Sequence, residues 1–160
     1  GHVLRHADAS IAGTAARVGA ATRDLCEVID PAALAAAIAA IRKDRGLSCG
    51  PVRVAWQVPC SLEHGQRSST AGKVEALLRA AGCELVATRD PTLCCGSAGT
   101  YSILQPELAR ELRARKLDSL LGDQPAAIAT ANIGCLEHLR QASAVPVRHW
   151  IEIVDSILFP

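Results

Sequence analysis

From Val52 onward the chain alternates short apolar runs with stretches of helical period, and this alternation narrows the possible folds to very few. Val52–Val58, Cys83–Thr88, Ala126–Ala131 and Val145–His149 read as strands. Between and after them, helical patterns run from about Gly72 to Ala81, Pro106 to Leu121, Leu136 to Gln141 and Trp150 to Leu158. Strands joined through helices return parallel, by right-handed crossovers, and the helices cover the sheet. The expected architecture is α/β: a mainly parallel four-stranded sheet with helices on both faces, preceded by an N-terminal helical segment. In such a sheet the carboxyl ends of all strands share one edge, where ligands collect.

The segment before the sheet has another character. From about Ala7 to Arg45 it is Ala-rich, with Val18, Ala21, Leu25, Val28 and Ile29 at helical spacings. Asp30-Pro31 interrupts it as the cap and first turn of a second helix, which runs to about Lys43. Gly46 and Ser48-Cys49-Gly50-Pro51 read as a linker, dividing the chain into a helical segment (1–50) and an α/β unit (51–160). Near-neutral charge, 17 basic against 16 acidic residues, and only four aromatic side chains argue against nucleic acid as a partner. No apolar run is long enough to cross a bilayer, and Gly1–His6 lacks an apolar signal core, so a cytoplasmic location is expected.

Seven cysteines, an odd number among helical patterns, point to a reducing compartment in which thiols serve metals or redox chemistry. Cys26, Cys49 and Cys83 read as small buried hydrophobes. Cys94 and Cys95 do not. Adjacent side chains on a strand point to opposite faces, whereas in a loop two thiols can turn toward one soft centre. Gly96-Ser97-Ala98-Gly99 lets the backbone curl behind them, and Gly96 can aim its N–H at sulfide or an anion. Cys60 and Cys135 each follow another strand at its carboxyl end. Folding is therefore expected to bring Cys60, Cys94, Cys95 and Cys135 together as ligands of a metal or an iron–sulfur cluster. His138, three residues after Cys135 on a helix, and His64, four after Cys60, are alternative last ligands; His149, before a helix, reads as structural. The charged helix Glu107–Arg115 reads as a solvated face or a docking surface.

The pattern Cys60 … Cys94-Cys95-Gly96 … Cys135 resembles the cysteine-rich "CCG" domain of heterodisulfide reductase B subunits and related oxidoreductases. Leu93–Ser102, Asn132-Ile133-Gly134-Cys135 and Pro146–Glu152 are similar to the C-terminal part of glycolate oxidase iron–sulfur subunits, and Gly1–His6 resembles the tail of an earlier cysteine-rich module there. The resemblance implies a fragment of a larger electron-transfer subunit with a 4Fe–4S cluster as the expected cofactor, prone to be lost from an isolated piece. It also implies flavoprotein partner subunits, which carry FAD and oxidise glycolate to glyoxylate, and peripheral membrane association through that complex. The ferredoxin-like part of those subunits has no counterpart, for no Cys-x-x-Cys-x-x-Cys run is present. One further departure stands out: the CCG pattern ends in Cys-x-x-Cys, where this chain reads Cys135-Leu136-Glu137-His138.

Three readings follow: an electron-transfer module holding a cluster, a docking domain with idle thiols, and a dithiol site that attacks a disulfide through Cys94 or Cys95.

Overall fold

The computed structural model describes residues 11–47, 50–65 and 72–159, with the side chains of residues 63–65 outside that description. Cys49 and the opening Gly1–His6 lie outside the described residues, as does the His64 side chain.

The four expected strands form one parallel sheet. β1 (Val52–Gln57) pairs with β2 (Cys83–Leu85) on one side and β3 (Ala127–Thr130) on the other, and β4 (Val147–His149) adds outside β3, giving the order β2-β1-β3-β4. The chain leaves β1 toward one edge and then builds toward the other. The connections out of β1 and β3 therefore diverge, and a crevice opens between the carboxyl ends of these strands, where α/β sheets take their ligands.

Period-two alternation sends the strand side chains into two cores. Val54, Trp56 and Ala129 face one side; Ala55 and Ile128 face the other. The first side is covered by α5 (Lys73–Ala80), through Val74, Leu77 and Leu78, and by α9 (Trp150–Leu158), through Trp150, Ile153 and Val154. The second is covered by α7 (Pro106–Leu121) and α8 (Ile133–Arg140), through Leu117, Leu120, Leu136 and Leu139. Both faces are thus dressed, as the sequence predicts.

The N-terminal helices are α1 (Ala12–Ala21), α2 (Leu25–Val28) and α3 (Pro31–Arg45). Cys26 and Ile38 join the first core, so this segment packs directly onto the α/β unit. The helical pattern before Asp30 is broken after Ala21, and of its apolar positions Ile29 packs against the first core while Val18, Leu25 and Val28 are 49%, 48% and 64% exposed. The reason is local. Asp24 and Glu27 form a capping box that starts a new helix after Thr22, and this break rephases the pattern so that Cys26 points inward.

Two short helices sit at the ligand edge: α4 (Cys60–Gly65) directly after β1, and α6 (Tyr101–Leu104) after the glycine-rich turn. Cys60 opens a helix instead of lying in a loop. Likewise α8 begins at Ile133, earlier than the periodicity suggests, which places Cys135 in its first turn.

Candidate metal centre at the carboxyl edge

The floor of the crevice is polar. Gln57 and Thr130 are register partners at the ends of β1 and β3, both fully buried, and the Thr130 hydroxyl donates to the Gln57 side-chain oxygen. The Gln57 amide in turn donates to Val58 O at 2.8 Å. Each polar atom thus gains a partner where no water would reach it, and the two strand ends are locked in register beneath the site.

Above this floor lies a cavity of about 410 Å³ lined by all four singled-out cysteines, Cys60, Cys94, Cys95 and Cys135, with Ser97 and Asn132 among its walls. Three connections deliver them: α4, the turn after β2, and the first turn of α8. The sulfurs form two contacting pairs. Cys95 and Cys135 are buried, with Sγ atoms 2.9 Å apart. Cys60, exposed at the mouth, shares a hydrogen bond with half-buried Cys94. Among the described residues, no three His, Cys, Asp or Glu side chains already converge as tightly as one metal ion requires.

Backbone geometry explains how adjacent cysteines turn toward one centre. Gly96 has φ +88°, a left-handed conformation that folds the chain back, and its N–H donates to Cys94 Sγ at 3.3 Å. There is no room for a side chain at this point. An added Cβ would stand 2.5 Å from Ala109 O and 3.2 Å from His138 Nε2. The turn is thus wedged against α7 and α8. On the opposite wall, Asn132 caps α8 by accepting from the Cys135 N–H at 3.1 Å, while its amide reaches Ser61 Oγ at 3.4 Å. Asn132→Ala is expected to cost about 1 kcal/mol in a denaturant titration, with the Cys135 turn loosened.

His138 does not line the cavity that the four cysteines share. Its ring is buried, with Nε2 3.2 Å from Ala109 O. The structure makes it a post between α7 and α8 that supports the Gly96 turn. His149 caps α9 through a capping box with Glu152, as its position before a helix suggests.

The thiols fall into two electrostatic classes. The hydrogen bond from Cys135 brings Cys95 down to about 6, helped by the Ser97 N–H and, at longer range, by Lys116. The same bond holds the proton of Cys135 and raises it, as does burial. The pair therefore loses its first proton easily and keeps its second. Burial raises Cys60, and Cys94 beside it adds to the effect. By contrast Cys26 is pushed up to about 12 by burial and by Asp24, and Cys83 to about 11 by burial; both belong to the first core, away from the cavity. One thiolate per chain is expected to appear in ultraviolet absorbance as the pH rises through about 5–7. Cys95→Ser should lose this step, and unfolded chain should show none below the ordinary thiol range.

Sequence reasoning missed Gln57, Thr130, Ser119 and Lys116. Lys116 is fully buried at the back of the site, with Nζ 3.1 Å from Asp90 O and 2.8 Å from Pro91 O. A signal existed. Ala109, Lys116 and Leu120 fall on one helical stripe, and the lysine interrupts an otherwise buried face.

The family described as "Cysteine-rich domain" (CCG) matches residues 54–140, a span that contains all four cavity cysteines. The chain is 41% identical over 158 residues to the glycolate oxidase iron–sulfur subunit of Escherichia coli (strain K12), covering 99% of this chain and 36% of that protein. It is 29% identical over 90 residues to the probable glycolate oxidase iron–sulfur subunit of Bacillus subtilis (strain 168), covering 56% of this chain and 20% of the relative. Over 80 residues it is 29% identical to the uncharacterized protein YkgE of E. coli (strain K12), covering 47% and 34%. The chain thus spans between 20% and 36% of the length of the curated relatives it matches.

Proposed function

This chain belongs to the cysteine-rich (CCG) domain family, and on that premise we propose that it is an electron-transfer module of a glycolate-oxidising complex, binding an iron–sulfur centre through Cys60, Cys94, Cys95 and Cys135. One observation carries the reading: thiols from three separate connections line a single cavity at the sheet's ligand edge. The donor set suits the group, since thiolates hold iron–sulfur clusters, and a 4Fe–4S centre asks for four.

An iron–sulfur centre bound there supplies one-electron transfer. The chain's own residues do the rest. The Gly96 N–H donates to Cys94 and the Ser97 N–H to Cys95, and such bonds stabilise negative charge on sulfur. The ready first ionisation of the Cys95–Cys135 pair provides a thiolate for ligation near neutral pH. Cys60 stands exposed at the cavity mouth, the side on which a redox partner can approach. We assign that role to a flavoprotein subunit, which would oxidise glycolate and pass electrons on. No helix among the described residues is long and apolar enough to cross a membrane; we propose a cytoplasmic position, with any membrane contact made through the complex.

Anaerobic reconstitution with ferrous iron, sulfide and thiol tests the assignment. Iron and acid-labile sulfide should co-elute with the chain in near-equal amounts, with a visible absorbance that dithionite bleaches. A chain that elutes free of iron would leave the docking reading standing instead.

The 2.9 Å contact between Cys95 and Cys135 also favours a dithiol reading. Its mark would be rapid exchange with a small aromatic disulfide near neutral pH, releasing two aromatic thiolates as the Cys95–Cys135 disulfide closes; Cys95→Ser should lose the fast phase and Cys135→Ser should stop at one.

A further inference from the structure

Lys116 is the only buried lysine, arginine, aspartate or glutamate among the described residues, and its place is not accidental packing. Its ammonium holds the carbonyls of Asp90 and Pro91, the two residues that begin the approach to Cys94 and Cys95. Ser119, one turn further along α7, accepts from the Asp90 N–H at 2.9 Å and clamps the same approach loop. Burial disfavours the charged ammonium, and Cys95, Cys60, Asp90 and Cys135 act in the opposite sense, each favouring it. The buried ammonium thus stands behind the loop that delivers Cys94 and Cys95, anchoring its backbone at Asp90 and Pro91.

We infer that Lys116 is the positioning residue of this centre, fixing the Asp90–Leu93 approach and placing a cation behind the thiols that offsets the negative charge the loaded site carries. The inference rests on the four-cysteine reading above and extends it to a residue outside the ligand set. Its physical basis is charge balance. A divalent metal held by four thiolates leaves the site with a charge of about minus two. In a buried setting such a charge is costly unless a cation stands near it. The same cation favours the more negative, reduced state of a cluster.

Cobalt(II) is the probe, titrated anaerobically into the reduced full chain and followed by its thiolate charge-transfer absorbance. Lys116→Met should bind cobalt at least about tenfold more weakly than wild type, and Lys116→Arg should recover most of the loss. Lys116→Gln retains a donor for the loop carbonyls but no charge. It should behave like Lys116→Met; a Lys116→Gln that matches wild type would make Lys116 a loop anchor only and overturn the charge role. As a second readout, the midpoint potential of the reconstituted chain should move to more negative values in Lys116→Met, a shift that a purely structural role would not produce. Wild type that binds no cobalt overturns the metal-site reading and this inference with it. Wild type that binds, beside a Lys116→Met with equal affinity and equal potential, overturns this inference alone.

Discussion

Gly96→Ala is expected to destabilise the chain by about 2–4 kcal/mol and to abolish iron retention. Two effects add. At φ +88° an L side chain is strained whatever its surroundings. The new methyl would also meet Ala109 O at 2.5 Å, a backbone atom of α7 that no rotamer change can remove. Relief would require the turn to lift from α7 and α8, carrying Cys94 and Cys95 out of line with Cys135. For a chain of this size the melting temperature should fall by roughly 5–15 °C. Gly99→Ala is the control. Its φ is also positive, +55°, but nothing lies within 4 Å of an added Cβ, so a cost of about 1 kcal/mol with iron retained is expected. Equal effects at the two glycines would show that the close approach at Gly96 has no bearing on the site.

The second large effect is a division among the cysteines themselves. Cys95→Ser and Cys135→Ser should reduce reconstituted iron to a small fraction of the wild-type content, because each removes one soft ligand and one half of the buried pair. Cys26→Ser and Cys83→Ser should retain iron fully. Those two thiols sit in the apolar core on the opposite face of the sheet, with their protons held by burial. Their penalty is of another kind, about 1–3 kcal/mol of stability for placing a hydroxyl in an apolar pocket. Iron analysis and thermal denaturation on the same four samples separate the two classes. If iron fell equally in all four, general unfolding and not ligation would be the cause.

The parallel sheet was legible because its evidence is local: short apolar runs between helical patterns leave little topological choice, and Val54/Ala55/Trp56 alternate faces as such a strand must. The gathering of Cys60, Cys94, Cys95 and Cys135 into one cavity was legible for a related reason, since parallel strands share a carboxyl edge. What escaped depends on side-chain direction within the crossovers. His138 shares a helix face with Cys135 in spacing, yet its ring turns to Ala109 O because α7 lies against that side. Nothing in the Cys135–His138 spacing encodes the neighbour. The break between Ala21 and Leu25 was not legible, because a capping box at Asp24 and Glu27 starts a new helix and periodicity assumes an unbroken one. The solvated reading of Glu107–Arg115 holds at Glu107 and Arg110 but stops short of the buried Lys116, whose charge hid its place on the apolar stripe.

Crystals of the anaerobically reconstituted chain, measured at the iron absorption edge, put the whole account at stake. Anomalous density is predicted inside the cavity at the ends of β1 and β3, within bonding distance of sulfur from Cys60, Cys94, Cys95 and Cys135. Iron located elsewhere, or held by fewer than three of those side chains, would contradict it.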